Sequence, residues 1–213
     1  IVLVEGKDRV LPPYPEALSH KARRQLEKLG VEVRLAAQVT AIDGDGVVVG
    51  GERIHARTVL WAAGVEGSPL AASLGVPLDR AGRVVVDHEL AIPGHAEVMV
   101  IGDLASVALG GGTVPGVAPA AIQMGRYAAR RIRHRVAGRA VEAFVYRNKG
   151  SLATIGRSAA VAHLGRLRLS GLLAWWAWWA VHILFLIGFR SRFLVMFAWA
   201  WSYLTFQRGA RLI

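Results

Sequence analysis

The sequence predicts an α/β fold that closes in an apolar helical tail, and three observations carry that reading. From Ile1 to Ala62 a strand, a helix, a strand and a small antiparallel meander follow one another, as in the second half of a nucleotide-binding α/β unit. A different rhythm of short strands and one long helix occupies the middle of the chain. From Leu172 onward Trp, Leu and Phe dominate, with arginines at the edges.

The elements can be justified in order. Ile1–Glu5 is a β-branched run ending in an acidic residue, as a buried strand does. Pro12, Pro13 and Pro15 mark a turn. Leu18, Ala22, Leu26 and Leu29 then recur at helical spacing in EALSHKARRQLEKLG, a helix closed by Gly30. Val31–Leu35 reads as a second strand, and Val39–Ile42 with Val47–Val49 as a hairpin about DGDG. Thr58–Ala62 reads as a further strand running into small residues, WAAG. Beyond it, Val84–Val86 and Val98–Ile101 are strands, the latter ending in Gly102-Asp103. The glycine-rich ALGGGTVPG reads as a flexible connection into a helix from Ala118 to Val136. After FVYRNKGSLATIG come the short strands AAVAHL and LRLS, and then the tail.

Composition narrows the class of function. Hydrophobic residues make up 54% of the 213 residues, yet Trp175, Trp176, Trp178, Trp179, Trp199 and Trp201 crowd into the tail, so the excess is local. The net charge is +11. Much of the basic charge lies in Arg126–Arg139 and beside the tail, without aromatic platforms interleaved, a pattern that favours an anionic membrane surface over nucleic acid. The absence of cysteine removes disulfides, thiolate metal sites and redox cysteine pairs, and the histidines show no metal-ligand spacing.

The tail can cross a bilayer, lie on one or pack as a core helix. Leu172–Phe189 is close to the minimum length for a span, and Phe193–Phe206 is shorter still. Arginines flank the first run on both sides, against a single crossing. Tryptophan favours the headgroup boundary. Two helices bent near Gly188–Arg192 and lying in the cytoplasmic leaflet are therefore expected, with a spanning helix as the alternative.

Three short motifs suggest chemistry. Glu5, at a strand's end, can accept both hydroxyls of an adenosine ribose and would repel a 2′-phosphate. Gly102 permits close backbone approach, and Asp103 can bind a polyol. Small residues in WAAG would let a cofactor pass.

The order of these pieces is more specific than any one of them. LVEGKDRVLP, GVEVR, TVLWAAG, LDRAGRVVVD and VMVIGDLA, in that sequence, resemble the pyridine-nucleotide oxidoreductases. VAPAAIQMG, YRNKGSLATIG and the Trp-rich end WAWSYLTFQRGARLI are similar, within that family, to the type II NADH:quinone oxidoreductases. The resemblance runs from Ile1 to Ile213. It implies a two-dinucleotide-binding-domain flavoprotein, Rossmann-like and incomplete at the amino terminus, with an amphipathic membrane-anchoring tail. Residues 1–62 would be the second half of an NAD-binding domain and 63–140 the returning part of an FAD-binding domain. Residues 141–170 would form the flavin and quinone connection, and 171–213 the membrane-associating helices. Disulfide and sulfide:quinone reductases of this fold need cysteines that this chain lacks.

Carried over residue by residue, the resemblance assigns Glu5, Ala63 and Gly64 to NAD and Gly102 and Asp103 to FAD. Ala118, Pro119 and Lys149 would also lie at FAD, the first two at a helix start whose positive end faces the flavin. Gln123, Lys149 and Ala118 would line the quinone site. Pro119 stands where the family carries a glutamine, which removes one donor there. No catalytic acid or base is assigned, and no metal. The implied activity is hydride transfer from NADH to FAD and then two-electron reduction of a membrane quinone, without proton pumping. The implied location is peripheral, monotopic, on the cytoplasmic face of a bacterial cell membrane, with anionic lipid and a second copy as partners. The glycine-rich phosphate loops are expected upstream of Ile1, so the chain is expected to be a carboxyl-terminal half that does not hold FAD alone. The rival readings are a soluble NADH:acceptor flavoprotein of the same fold and an inactive membrane-binding module.

Overall fold

A computed structural model describes residues 1–186 and 188–206, and the chain divides into two compact units. The first comprises residues 1–59 and 150–213, the second residues 60–149. The last part of the tail, residues 207–213, and residue 187 lie outside the described residues.

In the first unit, β1 (Val2–Val4) and β2 (Glu32–Arg34) pair in parallel with Leu3 opposite Val33. The crossover between them is α1 (Glu16–Lys28). The proline turn sets its start, for the Pro15 carbonyl accepts from the amides of Leu18 and Ser19. Leu18 and Ala22, one turn apart, are fully buried, and Ser19 satisfies its buried hydroxyl on the Leu11 carbonyl at 3.2 Å. Gly30 ends the helix with a φ of 80°, the left-handed position that suits glycine. The meander then follows as β3 (Val39–Asp43), β4 (Gly46–Val49) and β5 (Glu52–His55), antiparallel in that order. The third strand extends the hairpin read from the sequence.

Thr58–Ala62 is not a strand. No described segment hydrogen-bonds alongside it, and Leu60 and Trp61 stand exposed. Its apolar residues predict a strand, but only a ladder partner makes one.

A second antiparallel sheet re-enters the first unit as β6 (Ser151–Gly156), β7 (Ala159–Leu164) and β8 (Leu167–Ser170). The middle strand, AAVAHL, is covered on both faces. Val161 packs against Leu18 and Ala22 of α1, while Ala160 and Ala162 face the opposite way onto Ala174. Ala174 belongs to α2 (Leu172–Phe185), the first tail helix, and alanine on both sides lets helix and sheet approach closely. Gly150 enters this sheet with a φ of 97°, and a Cβ there would fall 2.3 Å from the His163 carbonyl oxygen. Only glycine fits.

The apolar run of the tail breaks earlier than its composition predicts. Helix α2 stops at Phe185, Leu186 turns to an extended conformation, and α3 (Phe189–Thr205) starts after Gly188, whose φ is 81°. The 14 and 17 residues of these helices measure about 21 and 25 Å. Among the described residues no helix is long and apolar enough to cross a membrane.

The second unit is built on one core. Its short elements are α4 (Leu70–Ser73), β9 (Val84–Val86) and the β10 (Ala91–Ile92)/β11 (His95–Met99) pair. The strand expected at Val98–Ile101 thus lies at His95–Met99, where Ala91–Ile92 offers pairing groups. A 3₁₀ turn, Gly102–Leu104, leads into β12 (Ala105–Leu109), which pairs in parallel with β9. ALGGGTVPG is no loose connection: Gly110 and Gly111 turn β12 back on β13 (Gly112–Thr113), a tight hairpin that their positive φ values permit. The long helix, α5 (Ala118–Val136), lays Ala120, Met124 and Tyr127 on a core with Val84, Leu90 and Val107. Arg131, one of the arginines read as surface charge, is buried and paired with Glu89 at 2.6 Å.

Two substitutions test the seam at β7. Val161→Ala should cost about 2 kcal/mol of stability by leaving a void against α1. Ala162→Leu should cost about 1–3 kcal/mol by overpacking and should push α2 off the sheet. Urea denaturation gives the first figure, and limited proteolysis of the tail reports the second. A tail as protected in Ala162→Leu as in the parent would contradict the close seam.

Candidate functional site

In the second unit the Gly102-Asp103 turn lies against the start of α5. Gly102 adopts a φ of 72°, its would-be Cβ faces the Ala121 methyl at 3.8 Å, and its N–H points to the Met124 sulfur at 3.2 Å. Asp103 is exposed, and its Oδ1 lies 3.7 Å from where a Cβ on Gly116 would sit. A carboxylate, a space left by a missing side chain and a helix amino terminus therefore meet at one place. Val117 precedes the helix and no side chain caps it. Ala118 is exposed there, and Pro119 in the first turn has no N–H to lose.

The turn is braced from below. Asp79 accepts from the amides of Ala81 and Arg83 at 2.9 and 3.0 Å, and the Arg83 guanidinium reaches the same carboxylate at 2.7 Å. Arg83 also donates to the Thr113 hydroxyl at 3.1 Å. Burial alone would raise the Asp79 pKa, but the bonds from Arg83, the Ser106 hydroxyl and the Ala81 amide outweigh it and bring it to about 2. Ser106 lies three positions beyond Asp103, so this network holds β9 and β12 together beneath the site.

Residues 140–149 form a strap without regular structure, secured at intervals. His134 Nδ1 meets the Ala140 carbonyl at 3.1 Å, the Phe144 amide donates to the His88 carbonyl at 2.7 Å, and the Phe144 ring sits edge-on to Tyr127. Gln123 attaches it too: its Nε2 donates to the Arg147 carbonyl at 3.0 Å and to the Pro119 carbonyl at 3.1 Å, and its Oε1 accepts from the Arg147 amide at 2.9 Å. Lys149 follows two residues later and is exposed.

Of the residues singled out from sequence, Gly102, Asp103, Ala118 and Pro119 come together around the start of α5. Gln123 sits one turn along it, joined to the strap that carries Lys149. Ala63 and Gly64 lie exposed in the same unit on an irregular segment that bends at Ala63. Glu5 belongs to the first unit, directly after β1, where its Oε1 accepts from the Lys7 amide at 2.9 Å. Sequence reasoning did not find Gly116, Met124 or Arg147. A small residue just before a helix start signals the first, whereas nothing local signals Arg147, which takes part through its backbone. The donor set suits a ribityl-bearing flavin: an acceptor for hydroxyls, the space at Gly116 and the Ala118 amide at the helix start.

In the first unit the two tail helices enclose a cleft of about 230 Å³ lined by Arg157, Trp175, Trp178 and Trp199. Trp178 stacks on Trp199 with centroids 5.5 Å apart, and the His182 ring lies 4.1 Å from Trp178. The Arg157 guanidinium lies between the Tyr203 and Phe206 rings, 4.0 and 3.9 Å from their centroids, and donates to the Tyr203 carbonyl. The Ser158 and Tyr203 hydroxyls share a hydrogen bond of 2.6 Å. The β6–β7 turn thus grips the end of α3.

The chain is similar to known proteins. Residues 1–125 match the pyridine nucleotide-disulphide oxidoreductase family, and residues 148–208 match the NDH2 C-terminal domain. The chain is 44% identical along its full length to the type II NADH:quinone oxidoreductase NdhA of Mycobacterium tuberculosis, of which it covers 47%. It is 40% identical over 98% of its length to the type II NADH:quinone oxidoreductase Ndh of the same organism, again covering 47%. The chain therefore spans about half the length of these curated relatives. The fold is similar to NDH2 from Plasmodium falciparum in complex with NADH, with a TM-score of 0.83 at 16% identity over 95% of this chain and 57% of that one.

The Asp79 network gives the site a defined acid sensitivity. A depressed folded-state pKa contributes stability that is complete above the unfolded value near 4 and is lost as pH falls toward 2. With partial exposure of the pair, that contribution should be about 1–2 kcal/mol. Asp79→Asn should flatten the stability profile of the protein between pH 4 and 2. An unchanged slope in that window would show that the carboxylate does not brace the sheet.

Proposed function

The chain belongs to the pyridine nucleotide-disulphide oxidoreductase family, among its type II NADH:quinone oxidoreductases, and on that premise we propose that it forms part of an enzyme that oxidises NADH and reduces a membrane quinone without pumping protons. The observation that carries this reading is the convergence on α5 of the Asp103 carboxylate, the uncapped helix start and the strap bearing Lys149. Residues 1–62 serve NADH in this reading, 63–140 serve FAD, 141–170 connect flavin to quinone, and 171–213 engage lipid.

FAD, when bound, supplies the electron relay between NADH and the acceptor. Asp103 binds its ribityl hydroxyls, Gly102 lets the backbone approach, and the Ala118 amide presents the positive end of α5. Glu5 accepts from the ribose hydroxyls of NADH, with Ala63 and Gly64 giving the cofactor passage. Lys149 places a positive charge where a quinone oxygen gains negative charge. Pro119 offers no donor, so the quinone site relies on Ala118, Gln123 and Lys149.

The tail suits a lipid boundary rather than a span. Phe189, Phe193, Phe197 and Trp201 recur one turn apart along α3, all exposed, with Arg190 and Arg192 at its start. Aromatic rings at that spacing fit the acyl and headgroup boundary, while the arginines reach anionic headgroups. In this reading the protein lies peripherally on the cytoplasmic face of a bacterial membrane, from which a quinone reaches the flavin without leaving the lipid.

Two measurements check this reading. The whole enzyme should use NADH about 30- to 150-fold more efficiently than NADPH, and Glu5→Gln should narrow that gap. Equal efficiencies in the parent would remove Glu5 from the nucleotide site. Deleting residues 172–213 should release the protein from vesicles containing anionic lipid. A deletion variant that stays fully bound would place the anchor elsewhere.

A further inference from the structure

We propose that the cleft between α2 and α3 is a site for one anionic phospholipid headgroup, with the Arg157 guanidinium meeting its phosphate. The proposal rests on the lipid reading of the tail and adds a defined site to the general attraction of surface arginines. Arg157 stands in the turn between β6 and β7 and lines the cleft with Trp175, Trp178, Trp199 and Ser202. The Tyr203 and Phe206 rings lie 4.0 and 3.9 Å from its guanidinium carbon, and one N–H goes to the Tyr203 carbonyl. Arg157 is nevertheless exposed. A guanidinium carries its N–H donors in one plane, as a fixed fork. Rings against it hold that plane still and leave an edge that can pair with two phosphate oxygens.

The turn itself is shaped around this arginine. Ser158 takes a φ of 58°, in the left-handed region where glycine is the usual choice. Its hydroxyl shares a hydrogen bond of 2.6 Å with that of Tyr203. A strained position thus keeps a side chain that fixes one of the two rings around Arg157. The rest of the wall selects the ligand. An aromatic box alone would attract a quaternary ammonium, but a guanidinium inside it repels that cation and favours an anion. No acidic side chain is among the described residues that line the cleft. Its volume of about 230 Å³ is that of a headgroup and not of a whole lipid. The stacked Trp178 and Trp199 suit the boundary level where a headgroup lies, since an indole offers both an apolar face and an N–H.

The experiment titrates the whole flavin-loaded enzyme calorimetrically with dihexanoylphosphatidylglycerol, kept below its micelle-forming concentration. Saturation at one lipid per chain is expected, with dihexanoylphosphatidylcholine and inorganic phosphate each at least about tenfold weaker. Arg157→Gln keeps a planar amide for the rings and should weaken the lipid about 10- to 150-fold. Arg166→Gln removes the same charge from the β7–β8 turn and should leave the titration unchanged. Ser158→Ala loosens the grip on Tyr203 without touching the guanidinium and should weaken the lipid less than Arg157→Gln does. Phosphate or phosphatidylcholine binding as tightly as phosphatidylglycerol would overturn the proposal. So would displacement of the lipid by a short-chain quinone, or equal losses in Arg157→Gln and Ser158→Ala. An enzyme that ignores vesicles of mixed phosphatidylcholine and phosphatidylglycerol would sink the lipid reading of the tail. One that binds those vesicles but never saturates with the soluble lipid would sink this site alone.

Discussion

The first unit depends on a single strand having two useful faces. In β7 the alternation of Ala160, Val161 and Ala162 sends the branched side chain toward α1 and the two methyls toward α2. The same few residues therefore hold the crossover helix that follows Glu5 and the helix that opens the Trp-rich tail. Small side chains on one face set the approach of α2, and a larger one on the other fills the space beside Leu18 and Ala22. Gly150 supports this arrangement because no side chain fits between its backbone and His163. The crossover helix and the first helix of the tail share one seam.

In the second unit the organising element is α5. Its start faces Asp103, its buried face carries Met124 and Tyr127, and Gln123 reaches sideways to the strap. One rigid helix thus relates the position of a carboxylate to that of a lysine supplied by an otherwise irregular segment. The Glu89–Arg131 pair and the Phe144–Tyr127 contact act further along the same helix. A reaction governed by bound cofactors asks the protein mainly for position and charge, and this helix can provide both.

The tail shows how an apolar sequence can avoid both the core and the span. Helix α2 buries little beyond Ala174, and α3 has no buried residue among those described. Beyond the Ala174 seam on β7, the two helices are tied by the Trp178–Trp199 stack and by Arg157 and Ser158 holding Tyr203. Rings and arginines remain facing outward. That balance fits a boundary where apolar and charged groups are both solvated.

The sequence by itself determined much of the local structure and the chemistry. The spacing of Leu18, Ala22 and Leu26 predicts α1, the run from Ala118 to Val136 predicts α5, and alternation predicts the meander. The motif order points to Glu5, Asp103 and Lys149. These signals are legible because helical period, strand alternation and turn residues act within a few positions of one another. Only the tertiary structure decided the rest. Thr58–Ala62 has strand composition without a partner, ALGGGTVPG closes a hairpin on β12, which itself pairs with β9, and Arg131 turns inward to Glu89. The tail breaks between Phe185 and Phe189, at the edge of the bend expected near Gly188–Arg192. The amide of Gln123 is committed to a backbone 24 positions away. The pairing of β12 with β9, of Arg131 with Glu89 and of Gln123 with Arg147 each depends on a partner distant along the chain, and no local pattern of side chains records which distant groups will meet.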